Sequence, residues 1–470
     1  MTDTPSSSPR SRVLTLWTPE DKAFWVTEGQ AIANQNLWIS IPALFLAFAV
    51  WMVWSAVVTQ LPAAGFDYST DELFWLAALP ALSGATLRIF YSFMVPIFGG
   101  RRFTVLSTLS LLIPAIGIGL AVQSTTTPYW VMLVLAALCG FGGGNFSSSM
   151  SNISFFFPKE RKGSALGLNA GLGNLGVSSV QFMVPLVISV GVFGWFGGEP
   201  QSIALAGGAT KQVWLQNAGF IWVVPILISS LLAFLMMNDI ADARASFSEQ
   251  AVIFRNKHNW LMCFLYLGTF GSFIGFSAGF PLLIKSQFPG VNPLAFAWMG
   301  PFAGALIRPV GGWLADKVGG ARVTLWNFAL MILGVVGVLH FLPDGGQPGH
   351  LTGFFLSFML LFLSSGIGNG STFRMIPVIF MDEALAAAPG KGREAEAAAV
   401  KDGNTQAAAV LGFTAAIGAY GGFFIPKSYG SAIAMTGSPH AALWAFIVFY
   451  VLCIVVTWWY YARKGALRPC

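Results

Sequence analysis

Twelve runs of apolar residues, separated by short polar stretches, dominate this chain: roughly 37–60, 73–98, 104–123, 129–157, 164–192, 212–238, 259–284, 294–315, 323–342, 351–380, 403–427 and 439–461. An apolar run of about 18 residues or more is long enough to cross a bilayer as a helix, the element that satisfies its own backbone polar groups. Charge is scarce to match. Of the 470 residues, 55% are hydrophobic and 9% charged, whereas an ordinary soluble domain carries about 25% charged residues. So few charges could not solvate the surface of a soluble protein of this size. The expected fold class is an all-α membrane protein, which excludes soluble enzymes, scaffolds and nucleic-acid-binding modules.

The polar stretches set the topology. No apolar core precedes residue 37, so no cleaved signal peptide is expected. Residues 1–36 read as a cytoplasmic segment in which Thr18-Pro19-Glu20-Asp21 starts a short helix. With Phe24 and Trp25 among polar neighbours, that helix is expected to lie on the membrane surface. An N-terminus in the cytoplasm places 19 of the 25 Lys and Arg on the cytoplasmic side and three (Lys211, Lys285, Lys427) outside. Three more, Arg88, Arg308 and Arg374, lie inside apolar runs. This asymmetry sets both termini in the cytoplasm and accounts for the net charge of +6 without nucleic acid. The four cysteines have no CxxC or Cys/His spacing, so neither a disulfide nor a metal site is read.

The chain repeats itself. Gly84-Ala85-Thr86-Leu87-Arg88 stands 220 residues before Gly304-Ala305-Leu306-Ile307-Arg308, and Gly99-Gly100 and Arg102 match Gly319-Gly320 and Arg322 at the same offset. Two pseudo-symmetric six-helix halves follow, 37–238 and 259–470, joined by a cytoplasmic linker over 239–258. Internal duplication with a site between the halves is a common build for secondary transporters, although channels and membrane enzymes can be duplicated too.

Arg88 and Arg308 each lie 11 residues before the matching glycine of the following loop, about 16 Å deep at 1.5 Å per residue. A charge at the bilayer centre costs about 2.5–3.5 kcal/mol even on lenient scales. An intramembrane salt bridge is one way to offset this, but none of the 19 acids falls at mid-membrane depth. Two buried cations at equivalent positions, without a carboxylate, point to a small anion held by the planar guanidinium forks. Arg374 lies one to two turns from its cytoplasmic end, where snorkelling or pairing at a gate suffices.

Gly312–Arg322 (GWLADKVGGAR) resembles the loop between the second and third helices of each half in the major facilitator superfamily; the first-half counterpart has Pro96 where Asp316 would align. Gly140–Pro158 (GFGGGNFSSSMSNISFFFP), Gly163–Gly176 (GSALGLNAGLGNLG) and Ser365–Phe373 (SGIGNGSTF) resemble the signature segments of the bacterial nitrate/nitrite porter family. Close helix packing explains most of these glycines, but not the asparagines among them.

The resemblance implies a major facilitator fold of twelve helices. In it Arg88 and Arg308 clamp the anion, Asn174 and Tyr266 donate hydrogen bonds, and Phe146, Phe48 and Phe270 wall the site. In a chain with 42 phenylalanines, any one of the three has core packing as its plainer reading. Asp316 and Arg322 belong to the gate by superfamily analogy. The resemblance favours nitrate and nitrite as substrates at the bacterial inner membrane, handled by a monomer with no cofactor and no enzymatic activity. Exchange of the two anions is electroneutral, whereas uptake alone works against about 2.3 kcal/mol per charge per 100 mV. A proton-coupled symporter of the same family and an anion channel are the alternatives.

Overall fold

The structure, a computed structural model, describes residues 12–204, 210–241, 251–387, 393–466 and 470. The expected N-terminal segment up to residue 11 and most of the linker, 242–250, lie outside the described residues.

Among the described residues, eleven helices are long and apolar enough to cross a membrane: α1 (Lys22–Val57), α2 (Thr70–Tyr91), α3 (Gly100–Ala121), α4 (Tyr129–Phe156), α5 (Glu160–Val187), α6 (Asn217–Met236), α7 (Lys257–Gln287), α9 (Gly320–Phe341), α10 (Leu351–Ala386), α11 (Gln406–Thr436) and α12 (His440–Ala462). The remaining span, α8 (Met299–Val318), falls short because Arg308, Asp316 and Lys317 dilute its hydropathy. The span that falls short is thus one of the two that carry an arginine of the pair.

The stretch read as a surface helix is instead the first turns of α1, which runs unbroken into the span through a π-helical segment at Trp25–Gly29. Its start also differs by a few residues from the expected Pro19. Asp21 is the N-cap, its carboxylate accepting from the Ala23 amide at 2.8 Å. Trp25 is buried in a small cluster with Ile153, Phe156, Phe157 and Ala165, which holds the beginning of α1 against α4 and α5. Helix α2 opens with a reciprocal capping box between Ser69 and Glu72.

Within the first half α1 packs on α4 and α5, and α2 on α4; within the second, α8 and α9 pack on α10. Glycine permits the closest of these approaches. A Cβ on Gly143 would stand 2.8 Å from the Gly84 Cα, and one on Gly366 would stand 2.3 Å from the Gly304 carbonyl oxygen. Between the halves, α2 meets α11, α7 meets α1 and α5 meets α8.

The duplication extends to the loops. Gly99 and Gly319, 220 residues apart, both have positive φ, +85° and +97°, a conformation open mainly to glycine. The Arg101 amide just after the first donates to the Asp239 carboxylate at 2.8 Å, and the Ala321 amide just after the second donates to the Cys470 carbonyl at 3.0 Å. Each loop is thus tied to chain that follows the last helix of its own half. On the same face a short strand β1 (Val13–Leu14) pairs in parallel with β4 (Asp239–Ile240). The other sheet is a hairpin, β2 (Gln201–Ala204) with β3 (Thr210–Val213), in the connection between α5 and α6.

The two faces of the bundle differ. At the face away from β1, α7 is buried at every residue from Ser272 to Ile284. At the face that carries β1, space beside Gly163, Gly167 and Gly171 of α5 and Gly412 of α11 is open for 4 Å around a notional Cβ.

Candidate functional site

Arg88 projects from α2 into the middle of the bundle, where it is fully buried. Its Nε donates to the Gly143 carbonyl of α4 at 2.8 Å, and its Nη1 to the Ala415 carbonyl of α11 at 2.8 Å. Three aromatic rings surround the guanidinium carbon: Phe146 at 4.7 Å, Trp51 at 5.0 Å and Phe270 at 5.4 Å. A desolvated cation–π contact contributes up to about 2 kcal/mol, and a hydrogen bond to a charged group about 1.5–3. These are the same size as the burial cost, so the protein can hold this cation without a carboxylate. Arg88 Nη2 is nonetheless buried with no hydrogen-bond partner.

Arg308 is held more loosely. It is 9% exposed, its Nη2 donates to the Tyr266 hydroxyl at 3.4 Å, and the Phe373 ring lies 5.2 Å from its guanidinium carbon. Its Nη1 is buried and unpartnered. Among the described residues, no carboxylate stands within 4 Å of either guanidinium.

Helix α7 links the two arginines. Tyr266 and Phe270 stack with ring centroids 5.2 Å apart and planes at 19°, so one ring serves Arg308 and the next serves Arg88. Sequence spacing gives these rings a shared face on a regular helix. They do share a face, but the backbone between them, Leu267–Gly271, is π-helical, a local widening common at functional sites.

Asn174 lies on α5 between Gly173 and Gly176, where that helix packs against Leu44, Phe45 and Phe48 of α1. It is 1% exposed, and both atoms of its amide lack a hydrogen-bond partner. Phe48 does not face a guanidinium. It packs behind the cage, with ring centroids 5.5 Å from Trp51 and 6.0 Å from Phe146. Asp316, at the end of α8, pairs with Arg374 of α10 rather than with Arg322, which is exposed in the first turn of α9.

Four contributors were not singled out from the sequence. Trp51 follows Phe48 by three residues and so shares its helix face, a signal that was present. Phe373 ends one of the signature segments. The Gly143 and Ala415 carbonyls are backbone atoms, on which side-chain identity says nothing. What the two arginines offer is a pair of buried cations with an unpartnered donor on each, suited to a small anion with several acceptor oxygens; no contact described here joins the unpartnered Asn174 amide to them.

Comparison with known proteins agrees. Residues 39–426 match the Major Facilitator Superfamily. The chain is 52% identical over 450 residues to a nitrate/nitrite transporter, NarU, of Escherichia coli K12, covering 95% of this chain and 96% of that protein. It is 42% identical over 462 residues to a probable nitrate/nitrite antiporter, NarK2, of Thermus thermophilus, covering 97% and 98%. Among solved structures it resembles a D-xylose–proton symporter with a TM-score of 0.65 at 14% identity, over 91% of this chain and 97% of that one, a likeness of fold. The chain belongs to the Major Facilitator Superfamily and, within it, to the bacterial nitrate/nitrite transporters.

Proposed function

We propose that the protein exchanges nitrate and nitrite across the bacterial inner membrane by alternating access, with the anion clamped between Arg88 and Arg308. The observation that carries this reading is the unpartnered guanidinium nitrogen on each arginine, Nη2 of Arg88 and Nη1 of Arg308, buried at matching positions of the two halves without a carboxylate. The nitrate/nitrite transporters it resembles supply the substrates. Asn174 and Tyr266 add hydrogen-bonding groups, and Phe146 and Phe270 wall the site with Phe48 behind them.

The Lys and Arg distribution places both termini and β1 on the cytoplasmic side. The glycine-lined opening of α5 and α11 then faces inward, and the face where α7 is sealed faces outward. Two adjacent cations without an anion repel each other, which disfavours reorientation of the empty carrier and favours exchange over net uptake. Asp316 and Arg374 belong to the inner gate, with Arg322 beside them at the start of α9.

The test is nitrate uptake by the purified protein in liposomes, with the lumen empty or loaded with nitrite, each with and without an inward proton gradient. Uptake that requires internal nitrite and ignores the gradient establishes exchange. Uptake into empty liposomes that follows the gradient identifies a proton symporter. Flux with single-channel currents and no need of counter-substrate identifies a channel.

A further inference from the structure

Three polar contacts join α2 to α11 and so cross between the halves. From the middle of the bundle toward the sealed face they are Arg88 to the Ala415 carbonyl, Thr86 with the Tyr420 hydroxyl at 2.9 Å, and Asp71 with Lys427 at 2.5 Å. Backbone proximity accompanies them. A Cβ on Gly422 would stand 2.6 Å from the Ala81 Cβ, and one on Gly430 would stand 2.7 Å from the Phe74 Cβ and 2.9 Å from Asp71 Oδ1. These two glycines, eight residues apart, let α11 lie directly on α2 over the outer half of the membrane. Phe74 with Tyr429 and Trp75 with Phe423 fill the flanks, at 6.1 and 5.7 Å.

We propose that Asp71 and Lys427 form the outer latch, an ion pair that holds this seam shut and must break each time the anion site opens outward. It joins the two halves, whereas Arg101–Asp239 and Asp316–Arg374 each lie within one half. The side chains are 30% and 20% exposed, so neither charge is free in water. Lys427 Nζ also lies 4.8 Å from the centre of the Trp75 ring, on the same helix as Asp71. Removing one partner leaves the other partly buried and unpaired, which raises the free energy of the sealed state specifically. The Asp316–Arg374 pair at the other face lies within the second half and does not cross the seam. The latch rests on the alternating-access reading above.

The experiment separates the two ideas. Ala81→Cys places a reporter thiol on the buried seam, read by an impermeant maleimide added from outside and mapped by mass spectrometry. Asp71→Asn and Lys427→Gln are each expected to raise its labelling severalfold. The charge swap Asp71→Lys with Lys427→Asp is expected to return it toward the parent value. Labelling unchanged by both single variants overturns the latch and leaves alternating access standing. In a second arm, Asp71→Cys with Lys427→Cys is joined by a short bifunctional methanethiosulfonate. Exchange is expected to stop and to return on reduction. Flux that persists through the joined seam overturns alternating access itself, and the latch with it.

Discussion

The Nη1 of Arg88 on α2 reaches the backbone carbonyl of Ala415 on α11, so one guanidinium of the candidate clamp is also a bond between the two halves. Among the described residues Arg308 has no such bond; its hydrogen bond, at 3.4 Å, goes to Tyr266 on its own half. The pair is symmetric in sequence and unequal in attachment.

That inequality separates the two conservative substitutions. Lysine keeps the charge but cannot serve two carbonyls and a ligand at fixed angles. Arg88→Lys is expected to lower both exchange and thermal stability, because it gives up hydrogen bonds worth about 1.5–3 kcal/mol each. Arg308→Lys is expected to lower exchange by about 10- to 100-fold, from the same range for one lost bond, with little change in melting temperature. Counterflow of labelled nitrate and a thermal melt in detergent check both.

Tyr266→Phe removes the hydroxyl that faces Arg308 and keeps the ring stacked on Phe270. It is expected to weaken apparent nitrate affinity by about 3- to 10-fold, the effect of one hydrogen bond of about 0.5–1.5 kcal/mol, without altering stability. Tyr266→Ala also removes the stack and is expected to lower the melting temperature as well.

Glycines of two of the three signature segments are expected to respond differently to an added methyl. Gly143→Ala forces a Cβ to within 2.8 Å of Gly84, and overpacking of this kind costs about 1–3 kcal/mol. Folded yield should fall. Gly167→Ala meets nothing within 4 Å and gains up to about 1 kcal/mol of helix propensity. Its melting temperature should hold or rise, while exchange slows if this face must close during the cycle. Parallel melts and exchange rates of the two variants distinguish them.

Asp316→Asn breaks the pair with Arg374, whose members are about half exposed; such pairs contribute about 0–1 kcal/mol. The melting temperature is expected to stay within a degree or two and nitrate-dependent thermal stabilisation to persist, while exchange is lost. Loss of both binding and exchange would place Asp316 in the site rather than at the gate.

Much of this molecule can be read from one-dimensional pattern. Helix number follows from apolar run length, and the two arginines stand out because a charge in such a run needs a reason. The 220-residue offset was legible because duplicated loops keep the glycines that positive φ demands, as at Gly99 and Gly319. Other features were not legible, for identifiable causes. The start of α1 depends on Trp25 burying itself against α4 and α5, a tertiary contact that turns an interfacial pattern into part of a span. The cage around Arg88 draws on α1, α4 and α7, and two of its anchors are main-chain oxygens that no residue type announces. The π-helical turn at Leu267–Gly271 has no composition of its own. The sequence named no partner for Asp316, because Arg374 of α10 reaches it only through the folded packing.

That wide turn in α7 has a mechanical meaning. On one side of it, Lys257–Tyr266 carries the ring that meets Arg308; on the other, Ser272–Ile284 is sealed among neighbours at the face away from β1. A π turn interrupts the regular ladder of hydrogen bonds and is a common place for a helix to bend. Helix α7 is therefore jointed at the depth of the two buried arginines. Its two lengths need not move as a single rod, and Phe270, sitting on the joint, can change its angle to Arg88 when either length swings.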